Sequence, residues 1–153
     1  MRRASIVEAI RKVVKSPMYG SEFYTQDQLI KMSMELIRIF EKNEIGIEES
    51  DSKEEKIKKI KIFASNFVNI RSEYFDDFKG REDYQYRTAY GALILKNAIC
   101  TGYAELVCIL LTLYDIKAHT MVATLPYRKE PAIHYFVVAE ITRRKAEKLN
   151  ISQ

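Results

Sequence analysis

The run from Cys100 to about Tyr114 is the strongest constraint on what this chain can fold into. It reads Cys-Thr-Gly-Tyr-Ala-Glu-Leu-Val-Cys-Ile-Leu-Leu-Thr-Leu-Tyr, a very apolar helix whose densest part, Leu106 to Leu111, has the size of a buried core segment. A helix of this kind needs cover from other elements. A chain of 153 residues is one domain's worth of protein and long enough to supply that cover. The composition, 47% hydrophobic and 30% charged with 5 Gly, 3 Pro and no Trp, is globular. It excludes a disordered chain, a collagen-like repeat and a disulfide-built scaffold.

Apolar spacing shows where the cover comes from. Ile6, Val7, Ile10, Val13 and Val14 form one stripe of a helix that ends before Pro17. Thr25-Gln26-Asp27-Gln28 has capping-box form and opens a second helix, through Leu29, Ile30, Leu36, Ile37 and Phe40 to about Lys42. A second box, Ser52-Lys53-Glu54-Glu55, opens a third helix that turns Ile57, Ile60, Phe63, Ala64 and Phe67 inward. Lys53, Lys56, Lys58, Lys59 and Lys61 sit beside the acids between Glu48 and Glu55, so they read as a solvated helix face. Residues 82–99 read as a short helix and a loop.

After Asp115 the pattern becomes strand-like, with strands expected over Ala118 to Leu125 and Ile133 to Ile141 and a hairpin connection from Pro126 to Pro131. Helices first and then an antiparallel sheet define an α+β fold. We expect a single domain over 1–153, with a helical N-terminal part over 1–50 and a core over 54–150.

Glu8, Arg11 and Lys12 break the N-terminal apolar stretch before a signal-peptide core can form, and no run approaches the ~18 apolar residues that span a bilayer. The expectation is a soluble, cytoplasmic protein with no membrane partner. The 25 Lys+Arg against 21 Asp+Glu give a net charge of +4 and a pI near 9.0, too little to announce a nucleic-acid binder. The basic clusters at Arg2, Arg3, Arg11, Lys12 and Lys15 and at Arg143, Arg144, Lys145 and Lys148 read as charged solvent faces.

The residues able to carry chemistry are few. Cys100 stands where a loop becomes a helix, in Asn97-Ala98-Ile99-Cys100-Thr101-Gly102-Tyr103-Ala104. The unpaired amides at a helix start favour a thiolate and can stabilise an oxyanion. The alternative for Cys100 is a buried structural thiol. Cys108 lies mid-helix among apolar neighbours and behaves as a small hydrophobe. Eight residues of helix put the two sulfurs about 12 Å apart along the axis, beyond disulfide reach. His134 begins the second strand, where alternation groups it with Phe136 and Val138. A Cys and a downstream His form a permissible nucleophile–base pair. His119 reads as a strand residue, and two His with two Cys at these spacings make no zinc signature.

The segments Thr88-Ala89-Tyr90-Gly91-Ala92-Leu93 and Ala98-Ile99-Cys100-Thr101-Gly102-Tyr103-Ala104 together resemble the nucleophile region of the bacterial transglutaminase-like superfamily. The resemblance covers about residues 54–141. It implies a papain-like fold, with a helix bearing Cys100 at its start packed on an antiparallel sheet bearing His134. It implies cysteine-dependent acyl transfer on a protein or peptide amide, with no cofactor. This chain has His134-Tyr135-Phe136-Val137 where the family often has His-Ala-Trp-Asn, and Lys96 and Asn97 where a loop Gly is usual. The family's third catalytic residue is an Asp about 15 residues beyond the His; here Asn150 stands at that distance, and an Asn can orient an imidazole. Residues 142–149 are good helix formers, so they read either as a terminal helix or as the strand leading to Asn150. Tyr90 and Tyr103 flank the Cys as cleft walls or core aromatics, and Asn97 is an oxyanion-hole amide or a turn residue.

Two functions follow from these residues: a cysteine protease, amidase, deamidase or transglutaminase, or a catalytically inactive binding module that keeps the fold.

Overall fold

The protein is described by a computed structural model over residues 3–14, 24–70, 85–125, 132–142 and 145–149. At its centre is the apolar helix α4 (Cys100–Leu113), in which every residue from Thr101 to Leu111 is buried. Leu106, Ile109, Leu110 and Leu111 have no exposed surface at all. Burying such a side chain is worth about 1.5–3 kcal/mol, so this one helix holds much of the apolar driving force.

The preceding helices supply the cover through the stripes their spacing defines. Helix α1 (Arg3–Val14) buries Ile6, Ala9, Ile10 and Val13; α2 (Gln26–Glu41) buries Met32, Leu36 and Ile39; α3 (Lys53–Phe67) buries Ile57, Ile60 and Ala64. Helices α1 and α3 pack directly on α4, and α2 packs on α1. Both expected capping boxes are formed. The Thr25 hydroxyl accepts from the Gln28 amide while the Gln28 side chain accepts from the Thr25 amide, and Ser52 and Glu55 do the same for α3. Of the α3 lysines, Lys59 is tied down: its ammonium reaches the Asp51 carboxylate at 2.6 Å and the Gly46 carbonyl at 2.8 Å.

The other face of α4 is covered by an antiparallel sheet of β3 (Ala118–Leu125), β4 (Ala132–Thr142) and β5 (Lys145–Leu149), in the order β3-β4-β5. Its register runs from Ala118 opposite Ala139 to Leu125 opposite Ala132. The architecture is therefore α+β. The first two strands match the sequence expectation within one residue at each end. Residues 145–149 resolve the open alternative: they pair with β4 as a strand, through an irregularity between Glu140 and Thr142. The helix propensity of Lys-Ala-Glu-Lys-Leu amounts to a few tenths of a kcal/mol per residue, and a free sheet edge outweighs it.

Residues 85–98 differ most from expectation. A 3-10 turn (Gln85–Arg87) leads into a wide π-helical turn (Gly91–Leu95), and then into a two-residue strand β2 (Asn97–Ala98). Strand β2 pairs in parallel with β1 (Asn69–Ile70), just beyond α3. Two residues are too short for any period to show, so this pairing has no signature in the sequence.

Candidate functional site

The 85–98 segment delivers the chain to the start of α4. Its carbonyls make the approach close: the Ile99 amide donates to the Tyr86 carbonyl at 2.9 Å. A Cβ built on Gly102 would lie 2.6 Å from the Thr88 carbonyl oxygen and 2.9 Å from that of Tyr86. Only glycine lets the first turn of α4 sit against this backbone. Lys96 ends the π-turn in the left-handed region at φ 57°, a conformation that favours glycine.

Cys100 is the first residue of α4, half-buried and unpaired with Cys108. The residue before it, Ile99, is extended and gives the helix no side-chain cap. The amides of the first turn are thus not satisfied by a capping side chain, the setting expected for this cysteine. Thr101, next to it, is buried, and its hydroxyl has no hydrogen-bond partner among the described residues. Cys108 is the inert thiol: burial first, then the Glu105 charge, push it up to about 12.

The backbone of His134 lies in β4 opposite Ala123 of β3, on the sheet that packs against α4. In β4 Val137, Val138 and Ala139 are all buried, so residues of both strand parities are covered there. Asn150 lies outside the described residues, as does the 126–131 connection.

Two of the suggested substrate contacts have hydrogen-bond partners within the protein. Tyr103 has no exposed surface, and its hydroxyl lies 3.1 Å from the Ser65 hydroxyl on α3. Its ring is fully buried and its hydroxyl links α4 to α3. Asn97 is half-buried in β2 and donates its side-chain amide to the Leu95 carbonyl at 2.7 Å, the turn role of this residue. Tyr90 is buried at the start of the π-turn, with 8% of its surface exposed.

Sequence reasoning passed over Glu105 and Tyr24. The Ala89 amide donates both to the Tyr24 hydroxyl at 2.9 Å and to Glu105 Oε1 at 3.1 Å. Glu105 has no exposed surface, and burial pushes its carboxyl up to about 8. The available signal was one acid inside an otherwise apolar helical run.

Among the described residues no group of three or more His, Cys, Asp or Glu could hold a metal ion, and no helix is long and apolar enough to cross a membrane. An apolar groove of about 560 Å³ between α1 and α2, lined by Leu29, Ile30, Met34 and Ile37, is on elements that carry neither Cys100 nor His134.

No protein-family model and no curated protein sequence matches the chain. Among solved structures it is similar to that of a transglutaminase (TGase), with TM-score 0.63 at 12% identity, over 84% of this chain and 33% of that one. The likeness is one of fold, and this chain spans about a third of that protein's length.

Proposed function

We propose that the protein is a cysteine-dependent acyl-transfer enzyme with a papain-like core over 54–150, acting on protein or peptide amides. The observation that carries this reading is Cys100, half-buried and free, at the uncapped start of a buried helix whose fold resembles that of a transglutaminase. In the proposed reaction the Cys100 thiolate attacks the amide carbonyl, and the helix-start amides stabilise the resulting oxyanion. The C–N bond then breaks, and the amine leaves with a proton from His134. Water or a second amine attacks the thioester, giving hydrolysis or transamidation, and frees Cys100. Asn150 is the candidate for orienting His134.

A second reading, an inactive binding module, is favoured by the departures from the family pattern: His134-Tyr135-Phe136-Val137 stands where His-Ala-Trp-Asn is frequent, and Asn150 stands at the distance of the third catalytic Asp.

Alkylation separates the two. The native protein is treated with iodoacetamide from pH 5 to 9 and the adducts are located by mass. An active enzyme labels fast at Cys100 near pH 6 to 7, and His134→Ala slows that labelling. Cys108 labels only after denaturation. Cys100 labelling no faster than that of a free thiol, and indifferent to His134→Ala, overturns the enzyme reading.

A further inference from the structure

Glu105 is a carboxyl group where the fold has no evident need for one. It lies within the most apolar helix of the chain, without exposed surface, and its Oε2 has no hydrogen-bond partner among the described residues. No ion pair reaches it among those residues. A buried, half-satisfied acid is costly compared with an apolar side chain of the same size. What it does make is one buried bond across two elements, from the Ala89 amide to Oε1.

That bond holds a specific place. Ala89 sits between the 3-10 turn and the π-turn, in the segment whose Tyr86 and Thr88 carbonyls bear on the first turn of α4. The Tyr86 carbonyl also accepts from the Ile99 amide, one residue before Cys100. Glu105 therefore grips, from one turn further along α4, the piece of chain that shapes the start of the same helix. We propose that Glu105 is a positioning residue: its neutral carboxyl holds the 85–98 segment onto the start of α4 and so sets where Cys100 stands, with a grip that weakens as pH rises.

Helices α1 and α3 and strands β3 and β4 also pack on α4. Helix α1 carries Arg3, Glu8, Arg11 and Lys12, and α3 carries the acids Glu54 and Glu55 and the lysines Lys53, Lys56, Lys58, Lys59 and Lys61. Strand β3 carries His119, and β4 carries His134 and Glu140. Arg87 lies in the 3-10 turn, and Cys100, Tyr103 and Cys108 on α4 itself. Tyr24 shares the Ala89 amide, and Cys108 feels both the Glu105 charge, which raises it, and the Lys12 charge, which lowers it. The carboxyl stays neutral because burial penalises its charge more than the Ala89 bond favours it. When the contact opens, the carboxyl reaches water and ionises at its ordinary value, so each rise in pH draws the equilibrium toward the open form.

The proposal relies on Cys100 being reactive only for its consequence, and two readouts keep these apart. The first is amide exchange in the intact protein. The Ala89 protection factor falls by about tenfold per pH unit between pH 5 and 8, then levels off. Glu105→Gln keeps the acceptor, cannot ionise and shows no such slope, and the Gln28 amide at the capped start of α2 shows none in either protein. A flat Ala89 profile in the unmodified protein, or the same slope in Glu105→Gln, overturns the proposal.

The second readout is Cys100 alkylation at pH 7. Glu105→Ala slows it by roughly threefold or more, and Glu105→Gln restores it. Alanine-variant labelling at the unmodified rate overturns the positioning role. If Cys100 is inert in the unmodified protein while Ala89 shows the slope, the grip stands and the nucleophile reading alone falls.

Discussion

The Thr88 carbonyl oxygen lies 2.6 Å from where a Cβ on Gly102 would stand, so the Cys100-bearing helix and the segment before it meet backbone to backbone. Gly102→Ala gains about 0.5–1 kcal/mol of helix propensity but meets carbonyls that cannot rotate away. Overpacking of this kind costs about 1–3 kcal/mol, so the variant has a lower urea midpoint. A variant as stable as the parent would show that the two backbones do not approach this closely.

Lys96 carries two opposed effects. Its left-handed backbone costs about 1–2 kcal/mol for an L-residue, while its ammonium lies 4.9 Å from the centre of the Phe67 ring. An exposed cation–π contact is worth about 0.5–1 kcal/mol. Lys96→Ala loses the contact and keeps the strain; Lys96→Gly loses both. The glycine variant is therefore the more stable of the pair by about 1 kcal/mol in denaturant unfolding. Equal midpoints would argue against the left-handed conformation.

Tyr103→Phe removes the contact with Ser65 and leaves the ring in place. The expected loss is about 0.5–1.5 kcal/mol, seen as a shift in urea midpoint. Cys100 alkylation stays within twofold of the parent, because the ring keeps its buried place. A large change in labelling with little change in stability would return Tyr103 to the site.

Among the described residues, two carboxyl groups make stability depend on pH with opposite sign. Glu105 titrates at about 8 when folded against 4.5 as a free side chain, so the native state holds a proton that the unfolded chain has released. Its contribution is fully present below about 4.5 and is lost as pH rises through 8, with a slope up to about 1.4 kcal/mol per pH unit. Asp51 is held below its ordinary value, first by the Lys59 ammonium and then by the Glu48 amide. Its contribution is present above the ordinary carboxylate range and is lost as pH falls through the lowered value. Urea midpoints from pH 3 to 9 should fall on both sides. Glu105→Gln flattens the slope between 4.5 and 8, and Lys59→Met flattens the acid side. A slope unaltered by Glu105→Gln would assign it to another group.

Local chemistry was the legible part of this fold. The two capping boxes and the helical stripes of α1 and α3 follow from side chains a few residues apart, and the first two strands follow from alternation. In α2 the expected Leu36 is buried, but Met32 and Ile39 complete the core face while Ile30 is 50% exposed. Pairings that depend on distant sequence were not legible. Strands β1 and β2 are two residues each with α3-to-α4 chain between them, and β5 is a strand because β4 offers an edge, against its own helix propensity. At the site, the place of Cys100 at a helix start was legible because the motif is contiguous. Glu105 was not, because its partner, the Ala89 amide, lies in a turn that no period marks.

The packing of α1 directly on α4 sets an order of events during synthesis. The apolar stripe of Ile6, Ala9, Ile10 and Val13 leaves the ribosome on the order of 90 residues before its partner does. At translation rates of about 5–20 residues per second, that is a wait of roughly 5 to 20 seconds. Over that interval α1 has, among the described elements, α2 to pack on but not α4, so the nascent chain passes through a stage in which a chaperone can bind a surface the finished protein buries.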